Sequence, residues 1–261
     1  MRNLKRIFEY IIIFSNYHTA LFLRLKLKSR NNKLHQLKLR NGLVLWVREG
    51  TPDVCVIHEV IYSKSYYLLR DILKKTMRGV ILDLGANIGI FSLFCSQTNP
   101  QLNILSFEPT VENFSLLSKN IAENKSNEKI KIIQKAVTSD GQPRYIHYNK
   151  TNPGGSSVNL NDNLNGLSET ISLIDILRQN NSIFLIKMDI EGTEYEIFYN
   201  ITISDLKLVK YLYIEIHNDP NNLCSRKELI KKIEKLNFAI KHEYLSVYLF
   251  ENRINQEQIA S

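Results

Sequence analysis

The stretch Val80-Ile81-Leu82-Asp83-Leu84-Gly85-Ala86-Asn87-Ile88-Gly89-Ile90-Phe91-Ser92 sets the fold class of this chain. A short apolar strand runs into a turn built from Gly85, Asn87 and Gly89, and helical spacing resumes at once. The two glycines let the backbone approach a ligand closely, and Asn87 is among the few other residue types that tolerate a positive φ. N–H groups at the start of the following helix suit a carboxylate or phosphate. The spacing is not the dinucleotide G-x-G-x-x-G, because no third glycine stands in register. Asp83, at the strand end, is expected to place a carboxylate beside the loop, where it could accept from an ammonium group.

Further apolar runs follow at Ile104–Phe107, Ile130–Val137, Ile183–Ile190 and Leu212–Ile216, separated by helix-length segments. Runs without polar alternation suit parallel strands buried on both faces, and alternating strands and helices make a doubly wound α/β sheet. Ligands in such sheets sit at the carboxyl edge of the strands. Glu108 ends the second strand, 19 residues beyond Gly89, about where an adenosine-binding fold puts the acid that accepts from ribose hydroxyls. Ile186-Lys187-Met188-Asp189-Ile190-Glu191-Gly192-Thr193-Glu194 delivers Asp189 and Glu191 to that edge, and Tyr213-Ile214-Glu215-Ile216-His217 delivers Glu215 and His217. These four titratable groups are the candidate catalytic residues.

Before this body, alternation on either side of Asn41-Gly42 predicts a β-hairpin with a type I′ turn, and Thr51-Pro52-Asp53 marks a helix start. A second short helix is expected over Tyr66–Lys75. After Cys224 a Lys-rich helix extends through Leu236, with Lys227, Lys231, Lys232 and Lys235 on a solvated face, and Phe238–Lys241 and Tyr244–Phe250 form a terminal hairpin. The polar segment Asp140–Ser168 is long for a connection in a compact domain and reads as a lid or substrate loop. The expected organisation is residues 1–35 as a basic, apolar helical segment, 36–76 as hairpin and helices leading into the core, 77–253 as the catalytic domain and 254–261 as a tail.

The chain of 261 residues carries 34 Lys and Arg against 26 Asp and Glu, a formal charge of +8. That excess is entirely N-terminal: residues 1–50 hold 11 basic and 2 acidic residues, leaving 23 against 24 in residues 51–261. A body without a basic field argues against a polyanionic partner. Three cysteines, Cys55, Cys95 and Cys224, with no CxxC pair argue against a disulfide framework or a zinc ribbon and suit a reducing, cytoplasmic setting. The cysteines and Trp46 read as packing residues. Ile11–Leu23 lacks formal charge yet falls short of the roughly 20 residues that span a bilayer, and Glu9 and the missing small-residue site make it a poor signal peptide. It reads as a helix packed on the domain or, with Lys5, Arg6, Arg24, Lys26, Lys28 and Arg30 around it, as an element resting on an anionic membrane.

Taken in order, D-L-G-A-N-I-G, F-E-P, Ala136–Gly141 (A-V-T-S-D-G), Gly155–Val158 (G-S-S-V), I-K-M-D-I-E-G and I-E-I-H resemble the FkbM family of S-adenosylmethionine-dependent methyltransferases. Leu39-Arg40-Asn41-Gly42 and Glu59–Tyr66 add to the resemblance, which spans roughly residues 37–250. It implies a Rossmann-like class I methyltransferase fold: a mostly parallel seven-stranded sheet with helices on both faces and a reversed last strand. It implies further that Gly85, Ala86, Asn87 and Gly89 wrap the methionine end of S-adenosylmethionine, with Asp83 beneath it and Glu108 on the ribose. The implied reaction is O-methylation of a sugar, glycan or secondary-metabolite hydroxyl.

Transfer of a methyl group to an alcohol is an in-line displacement that depends on positioning. His217 or Asp189 could take the hydroxyl proton; alternatively Asp189, Glu191 and Glu215 could hold a divalent cation such as Mg²⁺ against it. Two other functions fit parts of the sequence: an RNA methyltransferase, suggested by the basic N-terminus but lacking an Asn/Asp-Pro-Pro-aromatic motif, and a non-catalytic cofactor-binding scaffold.

Overall fold

The computed structural model describes residues 2–26, 33–147, 157–159, 167–219 and 224–254. Two helices, α1 (Arg2–Ile13) and α2 (Tyr17–Leu25), precede a hairpin of β1 (Leu34–Lys38) and β2 (Val44–Arg48), followed by α3 (Asp53–Tyr62) and α4 (Lys64–Lys75). The body alternates: β3 (Val80–Leu84), α5 (Ile90–Thr98), β4 (Asn103–Phe107), α6 (Val111–Glu123), β5 (Ile130–Ile133). Next come β6 (Ala136–Thr138), β7 (Arg144–His147), β8 (Ser157–Asn159), β9 (Leu167–Ser168), β10 (Thr170–Ser172) and α7 (Leu173–Arg178). The chain then returns through β11 (Ile183–Met188), α8 (Thr193–Asn200), α9 (Ile203–Leu206), β12 (Val209–Glu215), α10 (Arg226–Lys235), β13 (Phe238–Tyr244) and β14 (Val247–Asn252).

Seven strands form one sheet in the order β13-β14-β12-β11-β3-β4-β5. The five strands from β12 to β5 are parallel, while β14 runs antiparallel to both β12 and β13. The sheet is therefore the Rossmann-like, doubly wound one expected from the sequence, with the last strand reversed and wedged between β12 and β13. Strand periodicity sorts its side chains onto two faces. Ile81, Leu185 and Tyr213 join a core shared with α1 to α6 and the N-terminal hairpin, whereas Leu82, Ile186 and Leu212 join a second core under α7, α8 and α10.

Because β3 leads outward to β4 and β5 while β11 leads the opposite way to β12, the order reverses between β3 and β11. That reversal opens a crevice at their carboxyl ends, where such sheets bind ligands. Leu84 and Met188 are register partners there, and Asp189 N–H donates to the Leu84 carbonyl at 3.1 Å.

Several boundaries depart from the sequence reading. Ile130–Val137 is not one strand: β5 stops at Ile133 and β6 pairs in parallel with β10 outside the main sheet. The Asn41-Gly42 turn is not type I′. Only Gly42 takes a positive φ, of 94°, and its N–H donates to Leu39 O at 3.1 Å, so Arg40-Asn41-Gly42 forms a three-residue loop closed by a bulge. Asn41 is held instead by Gln97, to which its amide donates at 2.7 Å. The apolar N-terminal stretch is two helices broken at Phe14, which bridges to Leu39. The supposed loop Asp140–Ser168 contains β7, β8 and β9, a small antiparallel sheet, although residues 148–156 and 160–166, with Gly155 and Ser156 of the Gly155–Val158 segment, lie outside the described residues. Arg144, at the start of β7, is buried and pairs with Asp140 at 2.9 Å and with Glu196 of α8 at 3.3 Å, tying this sheet to the body.

The hairpin is welded on by two asparagines four residues apart, Asn120 of α6 and Asn124, which caps its C-terminus. Asn120 accepts from Trp46 N–H at 2.7 Å and donates to Trp46 O at 3.2 Å, and Asn124 does the same for Val44 at 2.9 and 2.7 Å. Their side-chain amides thus complete the ladder along the free edge of β2. Asn120 also donates to Ile88 O at 2.9 Å, so the hairpin is joined to the loop after β3.

Candidate active site

At the crevice, the loop Gly85–Gly89 crosses the end of β11. Gly85 has a φ of 77°, and a Cβ there would lie 1.9 Å from the Asp189 carbonyl oxygen; at Gly89, φ 88°, it would lie 2.6 Å from Leu117 Cδ1. Gly85 is thus required by the chain's own backbone packing as well as by the turn, and Gly89 chiefly by its positive φ. Asn87 does take the left-handed conformation expected of it, at φ 50°. Its N–H donates to Glu108 Oε2 at 2.9 Å.

Asp83 lies beneath this loop and is fully buried, accepting from Ser92 Oγ at 2.6 Å. The ammonium group it meets belongs to Lys187, whose Nζ is 3.4 Å from Asp83 and 3.6 Å from Asp189 and donates to Gly85 O at 2.7 Å. Burial alone would lower the Lys187 pKa, but Asp189 and Asp83 outweigh it and raise it, so Lys187 holds β3, β11 and the loop together as a buried cation. Lys187 stands inside the quoted I-K-M-D motif, yet its neighbours on other strands cannot be read from the sequence.

Asp189, Glu191, Glu215 and His217, the four expected catalytic residues, converge. His217 Nε2 lies 3.6 Å from Asp189 Oδ1 and 3.7 Å from Glu191 Oε2, while its Nδ1 donates to Glu194 Oε1 at 3.1 Å. Glu194, also from a quoted motif but not singled out there, is fully buried and accepts from the N–H groups of Ile190 and Gly192 at 3.2 and 2.7 Å. It locks the turn after β11 and the histidine at once. Glu191 does not belong to the first turn of a helix, where the macrodipole would account for it; it precedes α8 in a left-handed conformation, φ 52°, followed by Gly192 at 101°. Such a conformation costs on the order of 1 kcal/mol and persists where the surroundings fix it. Glu215 accepts from Ser246 Oγ at 3.1 Å, and Tyr195 Oη donates to the His217 carbonyl at 2.9 Å.

A fifth group was missed. Glu59, from α3, faces Glu215, Asp189 and Lys187, and burial together with those two carboxylates lifts its pKa to about 7. Burial likewise lifts Glu191 to about 7 and raises Glu215. For His217 burial favours the neutral ring, but the Glu194 hydrogen bond and the surrounding carboxylates prevail and bring it to about 9. At neutral pH the imidazole is charged, and it is not a free base.

Two cavities meet at this cluster, sharing Gly85, Asn87, Asp189 and Glu191. One of about 200 Å³ is lined by Glu59, Glu215 and His217 with Val56, Tyr66 and Phe91. The other, of about 50 Å³, runs past Glu108, Phe107, Pro109 and Val137.

An adenosine-bearing cofactor with an amino-acid end fits here. Asn87 Oδ1, on the wall common to both cavities, is buried and has no hydrogen-bond partner among the described residues, leaving an acceptor for a ligand donor. Glu108 Oε1 is occupied by Thr110 and Asn113, but Oε2 takes only the Asn87 N–H among the described contacts, leaving capacity for a hydroxyl beside the apolar slot.

A divalent cation fits poorly. The donor atoms that come within 4.8 Å of one another belong to Asp189, Glu215 and His217, not to the expected set with Glu191. A hard cation prefers oxygen ligands and would sit beside the Lys187 ammonium.

A doubly wound sheet with its final strand reversed, a glycine loop after the first strand and an acid at the end of the second define a class I S-adenosylmethionine-dependent methyltransferase. Residues 83–240, more than half of the chain, match the methyltransferase FkbM domain, and the chain belongs to that family. Methyltransferase sdnD of Sordaria araneosa is 26% identical over 192 residues, covering 61% of this chain and 73% of that protein. Methyltransferase 1 of Beauveria bassiana is 23% identical over 211 residues, covering 72% and 82%. Among solved structures, an rRNA methylase from Streptococcus thermophilus is 10% identical and covers 73% of this chain and 98% of its own, with a TM-score of 0.43. A SAM-dependent methyltransferase from Aquifex aeolicus is 11% identical, covers 74% and 89%, and has a TM-score of 0.40.

Proposed function

We propose that the enzyme methylates a hydroxyl group of a sugar, glycan or hydroxylated secondary metabolite. The observation that carries this reading is the larger cavity, lined by Glu59, Asp189, Glu191 and Glu215 together with Val56, Tyr66 and Phe91. Carboxylates accept hydrogen bonds from neighbouring hydroxyls, and the two cations of the same cavity, Lys187 and His217, are already engaged by Asp83, Asp189 and Glu194, so the pocket suits a neutral polyol more than a nucleic acid. Residues 51–261, with a net charge of −1, add no attraction for a polyanion.

S-adenosylmethionine, when bound, supplies an electrophilic methyl group. The chain has to align the acceptor oxygen with it and take up a proton. Asp189 stands at the junction of the two cavities and is about one-third exposed, which makes it the group that meets the acceptor hydroxyl. Charged His217 and Lys187 flank Asp189 and fix its orientation. Glu59 and Glu215 hold further hydroxyls of the acceptor.

Incubating the protein and cell extracts with isotopically labelled S-adenosylmethionine tests this. The expected result is label in a base-stable ether on a carbohydrate or phenolic product, undiminished by EDTA or by ribonuclease. Label confined to RNA or to nitrogen would refute the hydroxyl assignment.

A further inference from the structure

Helix α1 turns an apolar side away from the protein. Its inward side chains are Tyr10, Ile13 and the adjoining Phe14, all buried, with Tyr10 stacked on His58 at 5.2 Å. At 100° per residue Leu4, Phe8 and Ile12 fall on the opposite arc, flanked by Ile7 and Ile11. Leu4 is 72% exposed and Phe8 62%, with Ile7 and Ile12 also open to solvent. Helix α2 repeats the arrangement: Ala20 and Leu23 are buried, whereas Phe22 and Leu25 are exposed, Leu25 by 88%. A surface helix of a globular protein ordinarily points its one apolar stripe at the core. These helices carry a second stripe.

The charge around the stripes says what covers them. Residues 1–33 hold eight Lys or Arg and a single acid, Glu9; on the two helices Lys5, Arg6 and Lys26 are exposed, whereas Arg24 donates inward to Cys55 Sγ at 2.6 Å. The Glu9 carboxylate is turned inward onto His58 at 2.9 Å, so it does not offset the cations at the surface. Two copies of such a face would bring like charges together, and a basic partner would be repelled. No described helix is long and apolar enough to cross a membrane. Exposed Leu, Ile and Phe beside Lys and Arg instead match the two attractions of a helix lying in the headgroup layer of an anionic bilayer. We infer that α1 and α2 dock this enzyme on an anionic lipid surface, inserting Leu4, Phe8, Ile12, Phe22 and Leu25. The docking element reaches the acceptor cavity through adjacent residues of α3: His58 holds Glu9 of α1, and Glu59 lines the cavity.

Sedimentation of the full chain with phosphatidylcholine vesicles, with and without phosphatidylglycerol, tests the inference. Wild-type protein is expected to pellet with the anionic vesicles alone and to be released by salt. Phe8→Glu, placed on an exposed position outside the catalytic machinery, should weaken vesicle binding by about tenfold or more and leave S-adenosylhomocysteine affinity unchanged. Absence of pelleting with anionic vesicles, or equal pelleting of wild type and Phe8→Glu, would overturn the inference. So would a wild-type dimer that Phe8→Glu dissociates and that binds no vesicles.

Discussion

His217 owes its behaviour to three carboxylates, Glu194, Asp189 and Glu191, that follow the neighbouring parallel strand β11. With its pKa near 9 it is charged at neutrality, and Glu59 and Glu191, near 7, are the groups that lose protons first as the pH rises. Their carboxylates are fully present only above about 7, and the imidazolium is present only below about 9, so kcat/KM should rise through the first value and fall through the second. In His217→Gln the alkaline limb should vanish while the acid limb stays; an unchanged alkaline limb would show that His217 does not titrate in the active form. Gly85 gives a steric counterpart. Gly85→Ala would place a methyl group against the Asp189 carbonyl at a positive φ, at a cost of about 2 to 5 kcal/mol, readable as a fall in the urea midpoint. The need for Gly85, Asn87 and Glu108 was legible in the sequence because their local conformations and spacing are dictated within the motif. Glu59 and Glu194 were not, since their roles arise only when α3 and α8 pack across the ends of β11 and β12.

At the level of elements, alternation and run length exposed all the strands of the parallel body, and the terminal hairpin was read from its two apolar runs. What they could not expose was pairing. β5 and β6 form one apolar run in the sequence, yet they part after Ile133 because β6 finds its partner in β10, more than 30 residues later. The turn at Gly42 was misassigned for a similar reason: Asn41 is drawn to Gln97 on α5, and a type I turn with a bulge releases it to reach there. The attachment of β2 to α6 was invisible as well, because Asn120 and Asn124 read as ordinary polar helix residues. Replacing Asn120 with Ala leaves the Trp46 and Ile88 backbone groups without partners in a buried setting. The expected loss is about 2 to 4 kcal/mol, seen as a fall in Tm on the order of 5 to 15 °C. A Tm within a degree or so of wild type would show that water satisfies those groups equally well.

Across the whole molecule, charge is partitioned by position: the excess of positive charge lies in residues 1–50, and a cluster of carboxylates stands at the sheet's carboxyl edge. The proposed site of methyl transfer is that edge, where the two cavities share a wall of Gly85, Asn87, Asp189 and Glu191. Titration of the purified protein with S-adenosylhomocysteine, wild type beside Asp189→Ala and Asn87→Ala, tests this division most directly when turnover is followed in parallel. Saturable one-site binding is expected. Asn87→Ala should weaken it, whereas Asp189→Ala should bind with nearly unchanged affinity and lose turnover by about a hundredfold or more. No binding by the wild-type chain, or near-normal turnover by Asp189→Ala, would contradict the account.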